Sequence, residues 1–458
     1  MFHDKDGCIV GTLKEKLGTQ SAAKSFFQYL IPTLLGMMLM SINIVIDGIF
    51  VGNGIGSVAL ASVNIAVPVF SIIISIALLI GIGGGTLYSM AMGEGNTERA
   101  KQLFTISTVL VTFITFGMSV IGYFNMESLA LFFGANEETL PYVVDYIKIL
   151  FIFSLFIAWE TCLSIFVRND GNPTLAMVGL IVTAILNVIL NYWMIFIWEL
   201  EVTGAALATT IATIIGLIIL MTHFFKKGSG LMFVPFKWKK QDFKSISSIG
   251  FPSFLSEAGM GVFVIGYNIA MGHYVGTKGL AAFSVINYLH TFMFLAFIGI
   301  GSSIQPMISF YYGAKKHDMI KDTVKIAEVS AFILGLIFIS MGYFGADFLV
   351  SIFGVSSDAI GALAVTGIKL FFLGYLFMGI NFIYMTYYQS IGYVRPSIGI
   401  TVFRGFILLL ICLYILPIWW GVNGIWLAMP VSEGIVALVL ILFARKGVMQ
   451  RELKSHGF

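Results

Sequence analysis

Charge is what this sequence has least of. Only 11% of its 458 residues are Asp, Glu, Lys or Arg, whereas a water-soluble domain carries about a quarter. With 58% hydrophobic residues beside so few charges, most of the surface has to face lipid rather than water. Cysteine is scarce as well. Cys8, Cys162 and Cys412 lie far apart, with no C-x-x-C and no Cys/His cluster, which argues against a disulfide framework or a zinc site. The six histidines, His3, His223, His273, His290, His317 and His456, never fall at H-x-x-x-H or H-E-x-x-H spacing, so an intramembrane metalloenzyme has no ligand set. A net charge of +3 and the lack of any recognition motif exclude nucleic acid as a partner. Residues 1–25 carry Asp4, Lys5, Asp6, Lys14, Glu15, Lys16 and Lys24 without an apolar stretch, so they do not read as a signal peptide. The expectation is a non-enzyme that needs no cofactor.

What the chain does have is long stretches without charge. No Asp, Glu, Lys or Arg occurs in 48–93, 102–126, 171–198, 279–314, 370–394 or 405–432. A hydrocarbon layer roughly 30 Å thick is crossed by about 20 helical residues. Membrane strands are about ten residues of alternating polarity, which these runs are not. Counting spans predicts twelve helices, near 26–52, 57–91, 102–124, 139–167, 174–198, 203–225, 246–272, 277–312, 323–345, 358–389, 397–419 and 422–444. The 49 glycines suit close helix packing in lipid.

Twelve spans put both termini on one side, and the basic residues choose the side. Under this count 23 of the 26 Lys and Arg fall with the termini, Arg404 among them, leaving Lys148, Lys278 and Lys369 on or near the other side. Positive charge marks the cytoplasm. The opposite loops are acidic, with Glu127, Glu137, Glu138, Asp145, Glu199, Glu201, Asp347 and Asp358. A multi-pass cell-membrane protein with both termini cytoplasmic is expected.

Sliding the chain on itself by 220 residues aligns Pro32 with Pro252, Gly52 with Gly272, Gly93 with Gly313, Gly134 with Gly354 and Gly204 with Gly424. Small gaps bring Gly171 to Gly392 and Pro173 to Pro396. One register holding over so long a stretch is a repeat rather than chance. The predicted organisation is an all-α integral membrane protein with twelve transmembrane helices in two pseudo-symmetric six-helix lobes. A cytoplasmic segment 1–25 leads into an N-terminal lobe 26–225. A cytoplasmic linker 226–245, a C-terminal lobe 246–444 and a cytoplasmic tail 445–458 follow. Six spans per unit is an even number, so both halves insert in the same direction, and substrate sites in such proteins lie near the midplane between repeats.

The first helix reads Asn43-Ile-Val-Ile-Asp47-Gly-Ile-Phe-Val-Gly52. The second ends Met92-Gly-Glu-Gly-Asn96 and the fourth Arg168-Asn-Asp-Gly-Asn-Pro173. The seventh opens Ile249-Gly-Phe-Pro252, and the eighth ends with Gln305-Pro306 and Tyr312-Gly313-Ala314-Lys315. In that order, across about 25–447, the set resembles the multidrug and toxic compound extrusion (MATE) family. The resemblance implies an antiporter that exports amphipathic, often cationic organic compounds against inward sodium or proton flow. It carries the family's first-helix acid onto Asp47 and its cation-site positions onto Asn187, Asn191 and Thr209. Asn191 departs from the family pattern, where this position is often Asp.

Four acids lie within predicted spans: Asp47, Glu160, Glu257 and Glu433. A charge at the centre of a membrane helix costs about 2.5–3.5 kcal/mol, so such residues face a cavity or a partner. Asp47 is the leading candidate, because a carboxylate can hold either a cation or a proton, and either one neutralises it. The alternative is a paired acid near a helix end. Asn187 and Asn191, four apart on one face, can add amide oxygens, or simply hydrogen-bond between helices. Glu257 and Glu160 are candidates for the substrate or ion path. Glu257 lacks an acidic partner in the tenth helix, which carries Asn381 instead. Small organic substrates and membrane lipid are the expected partners of a monomer. Two rival readings keep the same fold: a dedicated exporter of one endogenous metabolite, and a lipid-carrier flippase. The flippase would be expected to carry a basic cavity.

Overall fold

The computed structural model describes residues 17–226, 228–353 and 359–445. Several residues used above lie outside these ranges: Cys8, His3, His456, Gly354, Asp358, the residues before Leu17, Lys227 and everything after Arg445. Among the described residues all regular structure is helical.

Twelve helices are long and apolar enough to cross a membrane. They are α1 (Ala22–Gly54), α2 (Val58–Gly93), α3 (Thr97–Phe124), α4 (Leu140–Asn169), α5 (Pro173–Ile197) and α6 (Glu201–Phe225). Then come α7 (Lys240–Tyr274), α8 (Thr277–Gly313), α9 (His317–Phe344), α10 (Ala359–Ser390), α11 (Val394–Trp420) and α12 (Val422–Leu442). The largest departures from the sequence expectation are the starts of α7 and α9, each six residues early. Polar first turns, Lys240-Gln-Asp-Phe-Lys and His317-Asp-Met-Ile-Lys, continue these helices beyond the apolar run, where hydropathy carries no signal.

Local chemistry sets the helix ends. The Asn96 side chain accepts from the Arg99 amide at 3.1 Å and so caps α3. The Asn172 side chain caps α5, with Pro173 in the first turn where its missing N–H costs nothing. Between helices, Gly171 (φ 85°) and Gly392 (φ 76°) close the turns after α4 and α10 in the left-handed region that only glycine enters freely. Two short helices, Met126–Phe132 and Ala346–Ser351, follow α3 and α9. They start 220 residues apart, in register with the sequence repeat.

Backbone contacts group the chain into two units. The first takes the described residues up to Phe254 together with Ser309–Lys315; the second takes Leu255–Ile308 and the described residues from Lys316 on. In the first unit α2 packs on α4, α4 on α6, α5 on α6 and α1 on α5. The repeat glycines explain one close approach there. A β-carbon on Gly93 would collide with the carbonyl oxygen of Phe310, and one on Gly313 with that of Met90. Without side chains, these two backbones touch directly. Lipid tails are as apolar as leucine, so packing of this kind, rather than flight from water, holds such helices together. In the second unit α9 packs on α10, and α12 packs on both α10 and α11.

The segment after α6 is held down on the first unit. Asp170, at the end of α4, accepts from the Tyr88 hydroxyl at 2.6 Å, His223 Nε2 at 2.7 Å and the Gly230 amide at 2.9 Å. Thr105 Oγ1 accepts from the Val234 amide at 3.1 Å, and Arg99 pairs with Asp242 through both guanidinium nitrogens. Residues 230–242 therefore form a strap tied to the first unit at Gly230, Val234 and Asp242.

Candidate functional site

Asp47 lies in the second half of α1, two turns before the helix ends at Gly54. Asn191 on α5 donates from Nδ2 to Asp47 Oδ1 at 2.7 Å, and Asn43, one turn earlier on α1, donates to Oδ2 at 3.3 Å. With its amide nitrogen turned toward Asp47, Asn187 donates to Oδ1 at 2.6 Å, and its oxygen accepts from Thr209 Oγ1 of α6 at 3.0 Å. Asp47, Asn187, Asn191 and Thr209 thus form one connected cluster where α1, α5 and α6 meet. Asn187 and Asn191 are 2% and 1% exposed, so the α5 side of the cluster is enclosed by protein, while Asp47, Asn43 and Thr209 are half-buried.

Two features fit the cluster to a cation or a proton. Asn191 Oδ1 is buried with no hydrogen-bond partner, although its nitrogen holds the carboxylate. A buried acceptor left unmade is costly, and a cation or an acidic proton would use it. The donor set is one carboxylate with neutral amide and hydroxyl oxygens, which suits a small hard monovalent cation better than a transition metal. Among the described residues no group of three or more His, Cys, Asp or Glu could hold a metal ion.

An apolar cap closes one side of this cluster. Val51, Ile195 and Ala205 each lie four residues, one turn, from Asp47, Asn191 and Thr209, and they pack together with Ala59 and Val202. Phe50, Leu60, Tyr142 and Tyr146 surround that core. The amphipathic rhythm of three helices therefore places a polar layer and an apolar layer side by side.

The other candidate acids lie elsewhere. Glu160 on α4 is buried at 7% exposure, with Oε1 unpartnered and facing Gly216 of α6. Thr183 of α5, one turn along from Asn187, flanks the same glycine. Glu160 is thus in the same unit as Asp47 but level with Thr183, about two turns before Asn191 on α5. Glu257 is half-buried on α7, in the second unit. Glu433 on α12 is buried, and its Oε2 accepts from Asn381 Nδ2 at 2.6 Å.

Sequence reasoning missed two residues. Asn43 belongs to the Asp47 cluster, and its four-residue spacing from Asp47 was the available signal. Arg404, counted above with the cytoplasmic charges, is instead buried inside α11 at 7% exposure. Its side chain lies 3.4 Å from Glu433, and its guanidinium carbon sits 4.0 Å from the Phe382 ring centroid. A carboxylate and an aromatic face compensate its burial, and both come from other helices.

Comparison with known proteins agrees with this architecture. A sequence model of the MatE family matches residues 32–193 and 252–415, two segments that start 220 residues apart. Over 428 residues the chain is 26% identical to the "Multidrug export protein MepA" of Staphylococcus saprophyticus, covering 92% of this chain and 93% of that protein. It is 27% identical over 429 residues to MepA of Staphylococcus aureus, covering 92% of each. Among solved structures, a multidrug resistance MATE family transporter of the MOP superfamily in its outward-facing conformation matches with a TM-score of 0.91 at 22% identity, over 97% of this chain and 99% of that one. A MOP superfamily transporter from Pyrococcus furiosus gives 0.90 at 21% identity, with the same coverage. The chain, a multi-pass membrane protein of twelve candidate spans, belongs to the MATE family of transporters and is not an enzyme.

Proposed function

We propose that the protein is a secondary active exporter of amphipathic, often cationic organic compounds, working by alternating access and driven by inward flow of sodium or protons. It sits in the cell membrane with both termini cytoplasmic and acts as a monomer. Asp47 carries the coupling. Asn187, Asn191 and Thr209 complete its cation or proton site, and Glu160 and Glu257 lie on the ion or substrate path.

The observation that carries this reading is the half-buried Asp47 carboxylate, held by amides of α1 and α5, with the buried, unpartnered Asn191 oxygen beside it. A coupling ion shifts a conformational equilibrium only by its differential affinity for the two states. A single carboxylate at a three-helix junction can supply that difference, because neutralising it changes what α1, α5 and α6 gain by staying together. The names of the staphylococcal relatives support multidrug export as the substrate class. A flippase for charged lipid carriers fits less well. Arg404 is a buried cation, but it is matched by Glu433 and does not make a basic cavity.

The test is efflux from proteoliposomes across a panel of dyes and drugs, with a sodium or a proton gradient imposed alone. Gradient-dependent efflux of several unrelated cations supports the reading. Transport of one metabolite only, or indifference to both gradients, contradicts it.

A further inference from the structure

The second unit holds a charged pair that the Asp47 site does not use. Arg404 is ten residues into α11 and Glu433 eleven residues into α12. At 1.5 Å per residue both side chains start about 15 Å from a helix end, near the middle of the membrane. Ionisable residues at that depth pair with one another and mark ion or proton routes.

The pair is not a tightly closed salt bridge. Arg404 Nη1 is 3.4 Å from Glu433 Oε1, outside hydrogen-bond geometry, and has no hydrogen-bond partner. The guanidinium rests instead over the Phe382 ring. A cation on an aromatic face has an anchorage that does not depend on the carboxylate. Arg404 also lies in a π-helical stretch, Phe403–Ile407, a distortion frequent at functional sites. Meanwhile the carboxyl group is oriented. Asn381 Nδ2 donates to Glu433 Oε2 at 2.6 Å and to the Glu433 backbone oxygen at 2.9 Å. Oε2 is thereby kept as an acceptor, and a proton arriving at Glu433 goes on Oε1, the oxygen facing Arg404.

Space for water adjoins both residues. A cavity of about 40 Å³ is lined by Phe263, His290, Met378, Arg404, Met429 and Glu433, among others. At roughly 10–15 Å³ for each water it has room for about three. The charged and titratable groups at this cavity are Arg404, Glu433 and His290. Behind them, the Tyr375 hydroxyl lies 3.0 Å from His290 Nδ1, and the Tyr267 hydroxyl accepts from the Met429 amide.

We propose that Glu433 is a second proton-binding carboxylate of the transporter, one for which Arg404 competes as a built-in cation. The step is a proton transfer from a hydronium ion, delivered by bulk solvent through the cavity water, to Glu433 Oε1. One O–H bond of hydronium breaks and leaves water, and one O–H bond forms on the carboxyl group. No bond to carbon changes, and the pocket gains the one positive charge that entered with the proton. With Glu433 protonated, the ionic link between α11 and α12 is gone, while Arg404 remains on Phe382. This rests on the reading of the protein as an ion-coupled exporter.

Infrared difference spectroscopy of the purified full chain in lipid nanodiscs tests it, following the C=O stretch of protonated carboxylic acids as pH is stepped from alkaline to acid. Glu433→Gln is expected to remove one carboxylic-acid band that Asp47→Asn retains. Arg404→Met is expected to move the midpoint of that band by about one to three pH units, the usual effect of one close opposite charge. Since Arg404→Met strands a buried acid and can fail to fold, Phe382→Leu is the second variant. It keeps both charges, weakens the alternative anchorage of Arg404 and moves the same midpoint. The inference is overturned if Glu433→Gln leaves every carboxylic-acid band in place, or if the Glu433 band has one midpoint in wild type and in every folded variant. Gradient-driven efflux is read on the same preparations. If wild type ignores both gradients while the Glu433 band stands, the exporter reading fails and the proton site survives. If efflux is gradient-driven and no Glu433 band exists, the proton site fails alone.

Discussion

Asn191 Nδ2 meets Asp47 Oδ1 at 2.7 Å, a side-chain contact between α5 and α1 that spans 144 residues of sequence. The same amide turns an unpartnered oxygen to the buried interior. One negative charge therefore serves a site that has room for two acidic side chains. Asn191→Asp should convert the amide–carboxylate pair into two adjacent carboxylates. Like charges at that distance are relieved by a cation or by a shared proton. The variant is expected to bind sodium about tenfold more tightly, equivalent to roughly 1.4 kcal/mol, or to retain a proton in its place. Isothermal titration with sodium at several pH values reads both outcomes. Unchanged sodium affinity together with unchanged pH dependence would remove Asn191 from the site.

Gly93 and Gly313 make a prediction about packing. Each faces a backbone carbonyl that a β-carbon would strike, and backbone has no rotamer by which to move aside. Gly93→Ala or Gly313→Ala should destabilise the protein by about 1–3 kcal/mol, the range for overpacking. Gly117, in the interior of α3, has nothing within 4 Å of an added β-carbon. There the same change should be neutral or stabilising by up to about 1 kcal/mol, because alanine is the better helix former. Thermal unfolding in detergent compares the three. Equal melting temperatures would contradict the close approach.

Orientation is testable at the strap between α6 and α7. Lys239 is exposed there, beside the exposed Lys237 and Lys240. A membrane-impermeant thiol reagent added to intact cells should fail to label Lys239→Cys, yet label it after permeabilisation. Ready labelling in sealed cells would reverse the topology.

Much of the architecture could be read from the sequence, for a physical reason. In lipid a helix must satisfy its own backbone hydrogen bonds, so run length and charge alone locate the spans. The repeat glycines could be read because a direct backbone approach leaves no substitute for glycine. The grouping of Asp47 with Asn187, Asn191 and Thr209 came from family resemblance, since no spacing within one helix relates α1 to α5. Arg404 was misplaced because charge counting treats an arginine near the end of an apolar run as a surface residue. Its compensation by Glu433 and Phe382 is tertiary and has no local signature. The clamp of Asp170 on His223 and Gly230 was equally hidden, its partners being 53 and 60 residues away.

Asp47→Asn tests the coupling role most directly. The substitution keeps the size of the side chain and most of its hydrogen bonding, but it can hold neither a charge nor a proton near neutral pH. The protein is expected to fold, reach the membrane and bind substrate, while gradient-driven efflux in proteoliposomes falls at least about tenfold, a loss of roughly 1.4 kcal/mol or more of driving linkage. Wild type and variant are compared at matched reconstitution, under a sodium gradient alone and a proton gradient alone. The account predicts that whichever gradient drives wild type leaves Asp47→Asn at the level of passive leak. Efflux by Asp47→Asn at the wild-type rate under that gradient would contradict it.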